Sequence, residues 1–280
     1  MVITRGLGPK LESEAQRIEE AARKAGLDFF DVVFEALPAE DVNAVAAYGG
    51  FAKRYPSWRF GMDFERLQKG YTYGFSKIYE LVINGDPTLA YLVKTNSLME
   101  QKLVMAHVFG HADFFRHNIW FTPTDRHMVA RMEHHGERVA HWMGRLGRTA
   151  VERFLDRVLA LDTLLDPYQP QRERWNPGAA ASPYDLLEFL ARKAPLEEWQ
   201  VELVRMVRTE ATYFLPQRQT KILNEGWASY WHSKLLTGGI LDDSEIVEFS
   251  DCHAGATADT NGLNPYKLGL ELFRSAERAG

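Results

Sequence analysis

The chain has 280 residues, 45% hydrophobic and 25% charged, with a formal net charge of −5. This is the make-up of a protein that buries a core, and with Lys and Arg scattered among an excess of acids it offers no basic nucleic-acid face. The single cysteine, Cys252, excludes an internal disulfide or a Cys-rich zinc module, which fits a reducing cytoplasmic setting. Met1 to Lys10 lacks the apolar core of a signal peptide, and no run approaches the roughly 20 apolar residues of a membrane span.

In chain order, residues 11–25 are rich in Glu, Ala, Arg and Lys and predict a surface helix stopped by Gly26. A second helix is predicted over 38–50, opened by Pro38 and closed by Gly49-Gly50, and Tyr55-Pro56 and Arg59–Gly61 read as irregular. Tyr79–Ile83 looks like a strand, Asn84–Pro87 a turn, and Leu89–Val93 either the returning strand of a hairpin or the start of a helix. From there helices are predicted over 97–118, 126–146, 149–165, 183–193, 196–214, 218–237, 242–251 and 265–278, with a proline-containing surface loop over 167–183 and Pro216 as punctuation. The expected fold is mainly α, with one small hairpin.

The helix over 97–118 carries His107-Val108-Phe109-Gly110-His111, two imidazoles four residues apart. Positions i and i+4 share a helix face, so both rings can grip one ion. The H-E-x-x-H arrangement of metalloproteases has its glutamate directly after the first histidine; here Val108 stands there. Other apolar stripes also carry polar residues: His135 among Met128, Met132, Val139 and Trp142; Glu210 among Leu203, Met206 and Tyr213; Glu225 and His232 between Ile222 and Leu236. An unpaired buried carboxylate costs several kcal/mol or shifts its pKa, so these groups need one another or a metal. Structural alternatives are a His135 bonded to a backbone carbonyl and a Glu210 paired with Arg205, Arg208 or Arg218. His127, His134 and His141 recur on a face flanked by arginines and read as solvated, His117 reads as exposed, and His253 falls in a Gly/Ala-rich loop.

Val104–Phe115 and Lys221–His232 resemble the hallmark segments of the SpoVR (stage V sporulation protein R) family, as do Glu80–Asn84, His135–Arg138 and Asn264–Gly269. The resemblance runs from about residue 10 to the end and implies a single SpoVR-like helical domain over 1–280, similar to the N-terminal part of members that continue into a further C-terminal region. It implies a link to spore cortex formation, hence peptidoglycan or a precursor peptide as substrate and sporulation proteins as partners. Asn224–Ala228 also resembles the distal-glutamate segment of some zinc peptidases with a His-x-x-x-His helix upstream. That likeness implies a zincin-like arrangement in which His107, His111 and Glu225 hold zinc or another divalent metal with an open position. The general base then has to come from Glu210 or Glu137, Glu210 being preferred, and His232 is expected to stabilise an oxyanion or orient a ligand. His135, Arg138 and Asn118 are expected to meet substrate, and the hairpin to offer an edge for strand addition. The function expected is metal-dependent hydrolysis of an amide bond in peptidoglycan or its stem peptide. The alternatives are a non-enzymatic assembly or regulatory factor for cortex formation and, third, a di-metal oxidase, for which no inward Glu-x-x-His pairs stand out.

Overall fold

A computed structural model describes residues 1–72, 80–176, 178, 182–258 and 262–279. It is mainly α-helical, with a small sheet. Strand β1 (Val2–Arg5) leads through helix α1 (Pro9–Lys24) to β2 (Val32–Leu37). Helices α2 (Ala39–Ala47) and α3 (Trp58–Thr72) precede the hairpin β3 (Glu80–Ile83) and β4 (Thr88–Val93); Tyr79, expected to open β3, lies outside the described residues. The strand order is β1-β2-β4-β3, with β1, β2 and β4 parallel and β3 antiparallel at the edge, where Leu81 faces Tyr91 and Ile83 faces Leu89.

The rest is helical: α4 (Leu98–His117), α5 (Met128–Leu146), α6 (Arg148–Leu159), α7 (Gln169–Trp175), α8 (Leu186–Lys193), α9 (Glu198–Gln219), α10 (Lys221–Leu235), α11 (Ile246–Thr257) and α12 (Pro265–Ala279). Strand residues alternate between two apolar layers. Phe34, Ala36, Ala90 and Leu92 face Ile18 and Ala22 of α1 and Met105, Val108 and Phe109 of α4. Ile83, Tyr91 and Val93 face Val42 of α2, Met128 and Met132 of α5 and Tyr213 of α9. A third cluster joins α5, α6, α8 and α9 around Val139, Leu155, Leu187 and Leu203.

Four expectations need correction. The sheet has four strands rather than two: β2 is buried on both faces, and apart from Glu35 its run is apolar, so it gives no regular alternation to detect. Arg59–Gly61 is helical within α3, whose start Ser57 supports by accepting from the Arg59 backbone N–H at 3.3 Å. The loop over 167–183 contains α7. Helix α9 runs through Pro216 for one more turn, because the Pro216 carbonyl accepts from both the N–H and the hydroxyl of Thr220, at 3.0 and 2.7 Å.

Helix α4 is the element that positions the site. Its start is a capping box: Ser97 accepts from the Glu100 N–H, and Glu100 accepts from the Ser97 N–H at 2.7 Å. From Val104 to Phe115 every residue is buried, which explains why its stripe is broader than the one-sided pattern expected. Helix α10 crosses it at Gly110, where a Cβ would lie 2.7 Å from the Ala228 Cα. Helix α12 packs as closely on the other side of α10, with Gly269 against Gly226 and the Ile222 carbonyl. No helix among the described residues is long and apolar enough to cross a membrane.

Candidate metal centre

The crossing of α4 and α10 brings His107, His111 and Glu225 together. Glu225 Oε2 lies 3.5 Å from His107 Nε2 and 3.5 Å from His111 Nε2. Ligands bonded to one tetrahedral zinc at roughly 2.0–2.1 Å stand about 3.3–3.5 Å from each other, so the separations are those of atoms sharing an ion. His107 Nε2 and Glu225 Oε2 are buried and have no hydrogen-bond partner among the described residues. Buried polar atoms are seldom orphaned, and two facing one another suit a cation between them. Glu80, the first residue of β3, joins the group: its Oε1 is 3.8 Å from His107 Nε2, and ligand atoms of Glu80, His107 and His111 lie within 4.8 Å of one another. No second group of this kind occurs among the described residues.

Each imidazole is held from behind. His111 Nδ1 donates to Asn224 Oδ1 at 2.9 Å, which leaves Nε2 with its lone pair towards Glu225. His107 Nδ1 is 3.0 Å from His232 Nδ1, and His232 Nε2 is 2.8 Å from His253 Nδ1. With His107 Nε2 turned to an ion, the hydrogens of this row run outwards, from His107 to His232 to His253. His253 lies on α11, which extends to Thr257 instead of ending near residue 251. The Tyr266 ring, on α12, stacks on His107 with centroids 5.9 Å apart.

The electrostatics follow from burial and these neighbours. Burial alone raises the Glu225 carboxyl, but the facing imidazoles of His107 and His111 outweigh it and hold the group far below the usual carboxylate range. Burial lowers His111, yet Glu225 and Asn224 bring it above the ordinary imidazole value. Burial pushes the Glu80 carboxyl up, helped by the Glu225 charge. Burial beside His107 and His253 drives His232 well below the imidazole range, so it is neutral.

The cluster opens on a cavity of about 520 Å³ whose lining includes Glu80, Leu81 and Val82 of β3, His111, Glu210, Asn224, Glu225 and Tyr266. A second cavity of about 240 Å³ meets His107 and His232, and Glu80 and Tyr266 border both.

The remaining sequence-derived candidates separate. Glu210 lines the main cavity, but its oxygens are taken: Oε1 accepts from His135 Nδ1 at 2.8 Å, and Oε2 from the Tyr55 hydroxyl at 2.7 Å and from Arg54. Its arginine partner is therefore Arg54, not Arg205, Arg208 or Arg218, and His135 stands behind the cavity wall, bonded to a carboxylate and not to a backbone carbonyl. Glu137 is exposed on the outer face of α5 near His134 and does not line the cavity. Arg138 is paired with Glu202, to which Trp142 also donates. Asn118 caps α4, its Oδ1 accepting from the Trp120 N–H at 2.9 Å; neither Arg138 nor Asn118 reaches the cluster. His127, His134, His141 and His117 are exposed, as expected. Sequence reasoning missed Glu80, Asn224 and Tyr266 as site residues, although all three sit in the segments that carry the family resemblance. Arg54 gave no signal.

A helical protein with a buried His-x-x-x-His pair facing a distal glutamate is the class that the fold and site define. Comparison with known proteins gives the family: the pattern described as "SpoVR like protein" matches residues 8–184 and 179–279, and the chain belongs to the SpoVR family. It is also similar to the Uncharacterized protein YcgB of Escherichia coli (strain K12), 30% identical over 316 aligned positions. That match covers 93% of this chain and 62% of YcgB, so the chain spans less than two thirds of that relative. No solved structure matches.

Proposed function

We propose that the chain is a metal-dependent hydrolase acting on an amide bond of peptidoglycan or its stem peptide. The observation that carries the reading is the convergence of His107 Nε2 and His111 Nε2 on Glu225 Oε2, each at 3.5 Å, with His107 Nε2 and Glu225 Oε2 lacking a hydrogen-bond partner among the described residues. His107, His111 and Glu225 would hold the ion, zinc being the choice that two imidazoles and a carboxylate favour. Such an ion supplies a Lewis acid for the scissile carbonyl and acidifies water.

The chain's own residues supply the rest. Glu80 faces the cluster with no arginine partner among the described residues and is the carboxylate best placed to accept a proton from water. Glu210 keeps its bonds to Arg54, Tyr55 and His135 and holds the cavity wall. His232 orients His107, and Asn224 orients His111. The outer edge of β3 offers backbone groups along which an extended peptide can add as a strand. Peptidoglycan as the polymer rests on the family's association with spore cortex.

Two measurements test the reading. Protein purified without chelator should carry close to one equivalent of divalent metal, with anomalous scattering centred between His107, His111 and Glu225, and the double variant H107A/H111A should carry none. The metal-loaded protein should release new amino groups from peptidoglycan stem peptides, and E80Q should lower that rate by about 10²–10⁴-fold while retaining the metal. A wild-type protein without stoichiometric metal overturns the reading.

A further inference from the structure

Asn264–Gly269 is one of the segments that carry the family resemblance, and the reading above gives it no chemical role. The structure puts its Tyr266 at the cluster. Asn264 fixes the start of α12: its Oδ1 accepts from the Tyr266 N–H at 2.9 Å and from the Lys267 N–H at 3.3 Å, while Nδ2 donates to the Ala256 and Ala258 carbonyls at 3.1 and 2.8 Å. Pro265, its φ already close to the helical value, opens the helix. The first turn of α12 is thereby tied to the end of α11, and a turn further on Gly269 seats the same helix on α10. From that anchor the Tyr266 ring stacks on His107 with an interplanar angle of 26°, and the hydroxyl meets the Glu225 carboxylate within the field of Glu80. Tyr266 also borders both cavities. One phenol therefore touches two of the three candidate ligand residues and still faces open space.

Amide hydrolysis needs a hydrogen-bond donor at such a place. As the carbonyl carbon becomes tetrahedral its oxygen gains negative charge, and Glu80 and Glu225 flank the cluster with carboxylates that repel it. The sequence points to His232 as the donor, but both its ring nitrogens are taken, Nδ1 by His107 and Nε2 by His253. The Tyr266 hydroxyl has a proton to offer: burial and the two carboxylates raise the phenol above its ordinary value of 10. We infer that the Tyr266 hydroxyl is a catalytic hydrogen-bond donor to the carbonyl oxygen of the amide cleaved, exchanging its contact with Glu225 for the charge that develops there. Water adds to the carbonyl carbon as Glu80 takes its proton, and the C=O π pair moves onto the oxygen that Tyr266 meets. When that pair returns, the C–N bond breaks and the proton on Glu80 passes to the leaving nitrogen. Tyr266 keeps its own proton throughout. This inference rests on the metal-centre reading above.

The test is a calorimetric titration of the zinc-loaded full chain, wild type and Y266F, with two analogues of alanyl-alanine. In the phosphinic analogue a tetrahedral, anionic phosphinate stands for the attacked carbonyl. In the mercaptoacetyl analogue a thiolate grips the metal and presents no tetrahedral oxygen. The phosphinate should bind Y266F about 100-fold more weakly than wild type. Thiol affinity and zinc content should stay the same, because the phenylalanine ring keeps the stack on His107. On a peptide that the wild type cleaves, kcat should fall by a similar factor with KM little changed. Equal phosphinate affinity in the two proteins, an equal loss of both probes, or loss of zinc from Y266F overturns the inference and leaves the metal centre standing. So does a wild-type chain that binds the thiol and not the phosphinate. A wild-type chain that takes up no zinc, or that binds neither probe, instead overturns the metal-centre reading, and the inference with it.

Discussion

Asn224 does not touch the candidate ion, yet it sets how His111 meets it. Replacing it with alanine removes the only acceptor given to His111 Nδ1, so N224A should weaken zinc binding by about 10- to 100-fold with little change in helix content; competition against a chelating dye measures this. The Glu225–His111 pair gives the metal-free protein a defined pH dependence. The Glu225 carboxyl is depressed below its ordinary 4.5, so its contribution to stability is present above that pH and is lost as pH falls through the folded value. His111 is raised above 6.5, so its contribution is complete below that pH and is lost as pH rises through the folded value. Between about pH 4.5 and 6.5 both contributions are present. Urea unfolding of the metal-free protein should show greater stability at pH 5.5 than at pH 8, and E225Q should flatten the difference. Zinc behaves oppositely, because it displaces the His111 proton: its affinity should rise over the same range. The pair and its distal glutamate were legible because helical spacing exposes any polar residue on an apolar stripe. Glu80 was not, because a polar residue opening a short edge strand is what solvent exposure also produces.

Where helices touch through glycine, one methyl group is a measurable load. A Cβ on Gly269 would meet the Ile222 carbonyl at 2.1 Å and the Gly226 Cα at 2.6 Å, backbone atoms that cannot rotate away. G269A should therefore cost about 1–3 kcal/mol of stability and also weaken zinc binding, since it displaces the helix that carries Glu225; thermal unfolding and metal titration of the one variant read both. The Arg54–Glu210–His135 node ties the segment before α3 to α9 and α5. Breaking a buried pair on one side leaves an unmatched charge, so E210Q should lose about 3–5 kcal/mol in chemical unfolding while zinc uptake persists. The same distinction explains what could be read at this scale. Amphipathic α5 and α12 and the glycine-stopped α1 and α2 were visible as one-sided patterns. β2 was not visible, because it is buried on both faces and its one charged residue, Glu35, gives no regular polar alternation. Arg54 was invisible for another reason: its partner lies 156 residues away.

If the cluster holds zinc as proposed, the protein as a whole should be more stable with zinc than without it. A ligand that binds only the folded state at 100 times its Kd adds about 2.7 kcal/mol, so zinc should raise the melting temperature of the wild-type chain and leave that of H107A/H111A unchanged, as differential scanning calorimetry can show. The mainly helical architecture and the edge hairpin could be anticipated, because most of the molecule is built from local periodicity. The parallel pairing of β1, β2 and β4 could not, since it joins segments separated by whole helices. The order of the elements along the chain bears on how the centre is assembled. His107 and His111 reside on the fourth helix, Glu225 on the tenth, and the glycine surface that seats the tenth helix belongs to the twelfth. During synthesis the two imidazoles therefore emerge long before their carboxylate, and the carboxylate before its support. A metal held at this cluster would become tightly bound only once the twelfth helix has emerged, so metal retention should report synthesis through that helix in a way that helix content does not.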